Sequence, residues 1–149
     1  MDLLILIKDL VISTLMAGFL VYIAYQQLET NRNKLKLDLY TKRFEVYSVS
    51  LKFYQELSND GASRGLVREF IEKKEAAKFL FSTDPSIYLL LNEMHDESFK
   101  INAFKKNPDD QKNSPELMEL IAKESLEAVK WFDPAIKNLS QKMEAFLNV

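Results

Sequence analysis

Apolar residues are not spread evenly along this chain. Leu10 to Tyr25 reads LVISTLMAGFLVYIAY, sixteen residues without a charge, whereas the sequence after Glu29 mixes apolar and polar positions at helical spacing. Sixteen helical residues extend ~24 Å; Gln26, Gln27 and Leu28 at one end and Leu3 to Ile7 at the other bring the segment to bilayer thickness. Residues 1–28 are therefore expected to form a transmembrane anchor. Lys8 and Asp9 fall near one interface, where a lysine can snorkel and the pair partly neutralises itself, and Tyr22 and Tyr25 suit the other. A cleaved signal peptide fits less well, because no Lys or Arg precedes the first apolar run and no A-x-A site closes it. A buried core helix fits less well too, since sixteen uncharged residues exceed what core helices usually carry.

From Glu29 the pattern is that of a helical bundle, residues 29–149. Leu37, Tyr40, Phe44, Tyr47, Leu51 and Tyr54 are spaced 3, 4, 3, 4, 3 and form a heptad-like seam. A second row, Leu35, Leu39, Val46, Val49, Phe53 and Leu57, covers an adjoining face, which predicts a central helix. No Pro or Gly lies between Phe19 and Asp60. The membrane helix can therefore continue into the bundle, with a bend near Glu29 to Asn33 equally allowed. Ser58 to Ser63 is a turn by composition. Leu66, Phe70, Ala77, Leu80 and Phe81 mark the next helix, with Arg68 to Glu75 expected on its charged outer face. Thr83-Asp84-Pro85 and Ser114-Pro115-Glu116 each supply a cap followed by Pro at the first helical position. The helix after the first is marked by Ile87, Leu90, Leu91, Met94, Ile101 and Phe104, and the polar loop Asn107 to Asn113 leads to the second. There Leu117, Met118, Ile121, Ala128, Val129 and Phe132 mark the buried face. Asp133-Pro134 is expected to kink or restart the chain before Ile136, Leu139, Met143 and Phe146. The fold class expected is all-α: a transmembrane helix continuing into a bundle of about five helical segments.

Composition narrows the chemistry. The chain has 149 residues, 20 Lys plus Arg against 22 Asp plus Glu, only 3 Gly, 4 Pro, one His and no Cys. Without Cys there is no disulfide framework, thiolate metal site or cysteine nucleophile, and a single His excludes a multi-histidine centre. No Gly-rich phosphate loop, G-x-S-x-G or H-E-x-x-H occurs. No cofactor, no metal and no catalytic residue are expected, and the chain reads as a non-enzyme.

Charge is polarised. Residues 29–54 carry six cations and three acids, and residues 55–149 carry 13 cations and 17 acids. One cation, Lys8, precedes the span, while Arg32, Lys34, Lys36, Lys42 and Arg43 follow it closely. The positive-inside rule then places the N-terminus outside and the bundle in the cytoplasm, with these five residues near anionic headgroups. Nucleic acid is not an expected partner, because the cations alternate with bulky core residues.

The block YQQLETNRNKLKLDLYTKRFEVY (Tyr25 to Tyr47), together with FLFSTDPSIYLL (Phe79 to Leu90) and KWFDPAIKNLSQKMEAFL (Lys130 to Leu147), resembles a set of small bacterial single-pass membrane proteins. Their signature is N-R-x-K-L-K-L-D-L-Y/F-x-K-R-F-x-V-Y, matched here from Asn31 to Tyr47. The resemblance implies a bacterial inner (plasma) membrane location and supports the topology. It carries no activity to transfer.

Four features can carry an interaction. Ser13, Thr14, Ala17 and Gly18 make two overlapping small-xxx-small pairs, which let membrane helices approach closely. The seam from Leu37 to Tyr54, with its tyrosine row Tyr40, Tyr47 and Tyr54, offers either core packing or a partner groove. Trp131, Phe132 and Phe146 form an aromatic end that fits packing or a partner surface. His95 lies among Glu93, Asp96 and Glu97, at spacings that do not converge on a helix, and is expected on a solvated face. The expected role is a membrane-anchored interaction or scaffold module at the inner face of the bacterial plasma membrane, with the lipid bilayer and a second copy or another membrane protein as partners. The alternative is an effector, such as a phage-exclusion or defence protein, that oligomerises and perturbs the bilayer. Depolarisation on overexpression separates the two.

Overall fold

A computed structural model describes residues 2–106 and 115–148; the polar loop Asn107 to Asn113 and the Ser114 cap lie outside the described residues. The described chain is helical with short turns: α1 (Asp2–Asn59), α2 (Arg64–Leu80), α3 (Pro85–Lys106) and α4 (Pro115–Leu147). It divides into two units, Met1–Asp38 and Leu39–Val149.

The first unit is the N-terminal part of α1. From Ile7 onward its described apolar side chains are largely uncovered by protein: Leu10, Leu15, Phe19 and Val21 are all more than 60 % exposed. The one hydroxyl-bearing threonine in the apolar run is satisfied within the helix, Thr14 Oγ1 donating to the Leu10 carbonyl at 2.8 Å. Such a bond removes the cost of an unpaired hydroxyl in an apolar medium.

The second unit is a four-helix bundle made by the last turns of α1 with α2, α3 and α4. Its core runs through Val46, Val49, Phe53 and Leu57 of α1, Leu66, Phe70 and Ala77 of α2, Ile87, Leu91, Met94 and Ile101 of α3, and Phe132, Leu139 and Met143 of α4. Phe53 and Phe70 stack at 4.2 Å between centroids, and Phe81 meets Phe146 edge-on at 5.2 Å. On α1 it is thus the second apolar row that faces the core. The heptad-like seam flanks it: Tyr47, Leu51 and Tyr54 pack half-buried at its edge, while Phe44 stays 46 % exposed.

Helix ends follow their local chemistry. Gly61, at φ 86°, turns the chain out of α1 while its N–H bonds the Glu56 carbonyl at 3.0 Å, a backbone state that glycine adopts without strain. Ser63 caps α2, its Oγ accepting from Leu66 N at 3.3 Å. Asp84 opens α3, its Oδ1 accepting from Ser86 N at 3.0 Å and from Ser86 Oγ at 2.5 Å. These bonds hold its carboxyl below the usual range.

Two expectations are corrected. The bundle has four helices rather than five segments, because α4 runs through Pro134. Proline there removes one N–H and crowds the Lys130 carbonyl, at about 3 kcal/mol. The ring sits on the exposed side, so that carbonyl faces away from the core. Meanwhile Phe132, Ala135, Ile136 and Leu139 are buried on the opposite side and hold one helical register. The outer face expected for α2 is also broken. Lys74 is buried, on the same row as Leu66, Phe70 and Ala77.

Candidate functional site

The chemistry of this chain lies in where its cations and aromatics are placed. Of the five cations after the apolar run, Arg32, Lys34, Lys36 and Lys42 are exposed, and Arg43 is half-buried. Arg43 Nε donates to the Leu80 carbonyl at 3.1 Å and its Nη1 to the Phe146 carbonyl at 3.3 Å. Those are the last carbonyls of α2 and α4, the groups that a helix leaves unpaired and that carry its partial negative charge. The guanidinium also lies 5.8 Å from the Phe81 ring centroid and 5.2 Å from that of Phe146. One side chain from α1 therefore ties two helix ends and two rings together. Lys105 does the same at α1's own C-terminus, its Nζ reaching the carbonyls of Leu57 at 2.8 Å, Ser58 at 3.0 Å and Asn59.

Between α2 and α3 lies a polar seam that sequence reasoning missed. Buried Lys74 donates to Asn92 Oδ1 at 3.0 Å and pairs with Glu75 at 3.1 Å. Glu75 also holds Lys78 at 2.7 Å, and the Tyr88 ring lies 5.7 Å from the Lys74 ammonium and 4.5 Å from that of Lys78. Glu75 is held below the usual carboxylate range by the Lys78 bond first and the Lys74 bond second. The signal was present in the spacing, since position 74 continues the 66–70 row; the residue type concealed it.

His95 is half-buried at the edge of α3, between the exposed Glu93 and Asp96 and the core. Its ring stacks on Phe70 at 6.4 Å and meets Phe99 edge-on at 4.9 Å. Burial, with the Lys74 charge second, lowers its pKa below the ordinary value. Among the described residues no three His, Cys, Asp or Glu side chains are grouped as metal ligands.

The remaining candidates separate by burial. Phe132 is fully buried, Phe146 half-buried against Phe81 and Arg43, and Trp131 half-buried, meeting Phe132 edge-on at 5.5 Å. Tyr54 donates to Asp133 Oδ1 at 3.0 Å and stacks on Phe132. On the first unit Ser13, Thr14, Ala17 and Gly18 are exposed, and a Cβ on Gly18 would meet nothing within 4 Å. Leu37 is exposed as well. The helix that carries these residues is long and apolar enough to cross a membrane.

Searches against family models, curated proteins and solved structures find no match to this chain.

Proposed function

We propose that this protein is a non-catalytic, membrane-anchored helical interaction module, held at the inner face of a bacterial plasma membrane with its N-terminus outside. The observation that carries the reading is a contrast within the one chain. Leu10 to Tyr25 presents exposed apolar side chains on a helix whose Thr14 hydroxyl is bonded within it, whereas the second unit has a core of its own. Exposed apolar surface of that extent needs lipid or protein cover. The non-catalytic part of the reading is supported by how two candidate side chains of the bundle are placed. Its histidine is packed between two phenylalanines, and its buried lysine is occupied by Asn92 and Glu75.

The one-to-five distribution of cations about the span supports the orientation, and Arg32, Lys34, Lys36 and Lys42 suit anionic headgroups. Self-association through the small residues of the span fits the open surface at Gly18. Tethering raises the effective concentration of whatever the bundle meets at the membrane.

The test is the mass of the complex extracted gently from native membranes, with copurifying proteins identified. A homo-oligomer or a fixed-ratio complex is expected, and a lone chain in every extraction overturns the interaction reading. Crosslinking in membranes addresses the self-associating form. Thr14→Ile with Gly18→Ile is expected to reduce the crosslinked species, and an unchanged pattern removes the span as the contact.

A further inference from the structure

A groove along the first unit lies on one face of one helix. Phe19, Tyr22, Ile23, Gln26, Thr30 and Lys34 border an open depression of about 580 Å³. Every residue that borders it belongs to α1, so a small molecule there would be touched on one side only, whereas small-molecule sites bury most of their ligand. A long one-sided groove suits the ridge of another helix. The same face carries the heptad register read back from Leu37: Phe19, Ile23, Gln26, Thr30, Asn33 and Leu37 are spaced 4, 3, 4, 3, 4. Phe19 and Leu37, at its two ends, are 62 % and 66 % exposed.

Charge is distributed around this face in a way that complements a copy of itself. Five of the ten residues from Glu29 to Asp38 are charged, yet the seam positions among them, Thr30, Asn33 and Leu37, are not. With Thr30 and Leu37 at a and Asn33 at d, Glu29 falls at g and Lys34 at e, the positions that flank a seam and meet across it. Residues five apart on one helix point about 140° apart, so these two charges are not neighbours within a chain. Among the described residues neither forms an ion pair. In a parallel pair of helices Glu29 of each copy faces Lys34 of the other, twice by symmetry. Parallel is the arrangement open to two copies that insert in the same direction. The seam also turns polar where the apolar run ends. Gln26 Nε2 donates to Tyr22 Oη at 3.2 Å, and among the described residues its Oε1 accepts no bond.

We infer that a second copy of this chain docks along this face, parallel and in register, with Gln26, Thr30 and Asn33 layered on their counterparts and Glu29 paired with Lys34 across the contact. Side-chain amides and hydroxyls bond between membrane helices, and a polar residue on a seam fixes register and copy number at a cost in affinity. The inference rests on the interaction-module reading and names the partner as the chain itself. Ser13, Thr14, Ala17 and Gly18 fall at e, f, b and c of the same register, off the seam. This contact is therefore distinct from the small-residue pairs of the span.

The chain has no cysteine, so each introduced one reports on a single position. Gln26→Cys, Thr30→Cys, Asn33→Cys and Leu37→Cys, with the off-seam Leu28→Cys, Arg32→Cys and Leu35→Cys, are oxidised in native membranes as full-length chains. Disulfide-linked dimer is expected at the four seam positions and not at the other three. On the Thr30→Cys background, Glu29→Lys and Lys34→Glu, both at exposed positions outside the bundle core, are each expected to lower the dimer roughly threefold by bringing like charges together. The two variants expressed together, with different tags, are expected to crosslink to each other at the level of the parent, because each supplies the charge that the other lacks. A mixed pair that crosslinks no better than either variant alone overturns the inference. So does crosslinking strongest at Leu28→Cys, Arg32→Cys and Leu35→Cys, which puts the contact on the opposite face. No crosslink at any position overturns it as well and leaves the face to lipid or another protein. A fixed-ratio complex with a different protein in the native-membrane mass would then leave the module reading standing, whereas a lone chain there overturns that reading itself.

Discussion

Arg43→Ala is expected to be the most damaging single change that touches no core residue. The side chain makes two charge-assisted hydrogen bonds, at 3.1 and 3.3 Å, to carbonyls at the ends of α2 and α4, and lies over two rings. A hydrogen bond from a charged donor contributes about 1.5–3 kcal/mol when buried. Half-burial and the second bond's length bring the pair to about 2 kcal/mol, and the helix-end charge and cation–π contacts add about 1 kcal/mol more. The contributions share one side chain and do not simply add, so about 2–4 kcal/mol is expected in all. At about 4 °C per kcal/mol for a unit of this size, the thermal midpoint should fall by roughly 8–16 °C. Arg43→Lys should lose about half of that, because one ammonium does not fork onto both carbonyls. The assay is thermal unfolding of the full chain in a mild detergent, followed by Trp131 emission and far-ultraviolet dichroism, with Lys34→Ala as the control at an exposed cation. If Arg43→Ala shifts the midpoint no more than Lys34→Ala does, the junction contributes nothing and Arg43 is one more surface cation.

Three further outcomes follow from the same geometry. Lys105→Met removes the ammonium from three carbonyls at the end of α1 and should lower stability by about 1–2 kcal/mol, read by the same unfolding assay. Pro134→Ala restores an N–H in the middle of α4 on its exposed side and should raise stability by about 1–2 kcal/mol; a loss would mean that Pro134 fixes the helix's path. His95 has its folded-state pKa lowered by burial, so its contribution is complete above the unfolded value of ~6.5 and is lost as pH falls through the folded value. Unfolding free energies measured from pH 7.5 to 5 should decline, and His95→Gln should flatten that decline.

The sequence carried the coarse architecture because periodicity and helix-start chemistry agreed. The Asp84-Pro85 and Pro115 starts, the turn at Ser58 to Ser63 and the apolar rows of α2 and α3 all stand where spacing predicts. What spacing does not carry is the choice between two adjoining apolar rows on α1. Both have helical periods, and the choice is made by Phe70, which stacks on Phe53. Residue type misleads in the same way at three positions. Lys74 lies on an apolar row and is buried by a neighbouring helix that brings Asn92 to it; Arg43 belongs to a basic run and is drawn inward by two helix ends 37 and 103 residues away. Leu117 fits the apolar pattern of α4, yet it is 52 % exposed, while Met118 and Ile121 are only half-buried and full burial begins at Ser125. Each depends on a partner distant in sequence, and local pattern has no access to it.

Lys74 gives the sharpest test of that last point, because two neighbouring substitutions should differ in a direction that surface reasoning does not predict. A buried ammonium carries a desolvation cost that its partners must offset, and here the partners are Asn92 and a half-exposed Glu75. Lys74→Met removes the charge, keeps most of the volume and leaves Glu75 still paired with Lys78 at 2.7 Å. It should therefore cost no more than about 1 kcal/mol, read as a small shift in the urea midpoint. Glu75→Gln leaves the ammonium buried with only a neutral amide and the Tyr88 ring for company. A fully buried broken pair costs about 3–5 kcal/mol, and the exposure of Glu75 reduces this to about 1–2 kcal/mol. With Lys74 already replaced, Glu75→Gln should cost close to nothing, since no stranded charge remains. A loss on Lys74→Met larger than that on Glu75→Gln would show that the ammonium is a net stabiliser of the α2–α3 seam, and the desolvation argument would fail at this site.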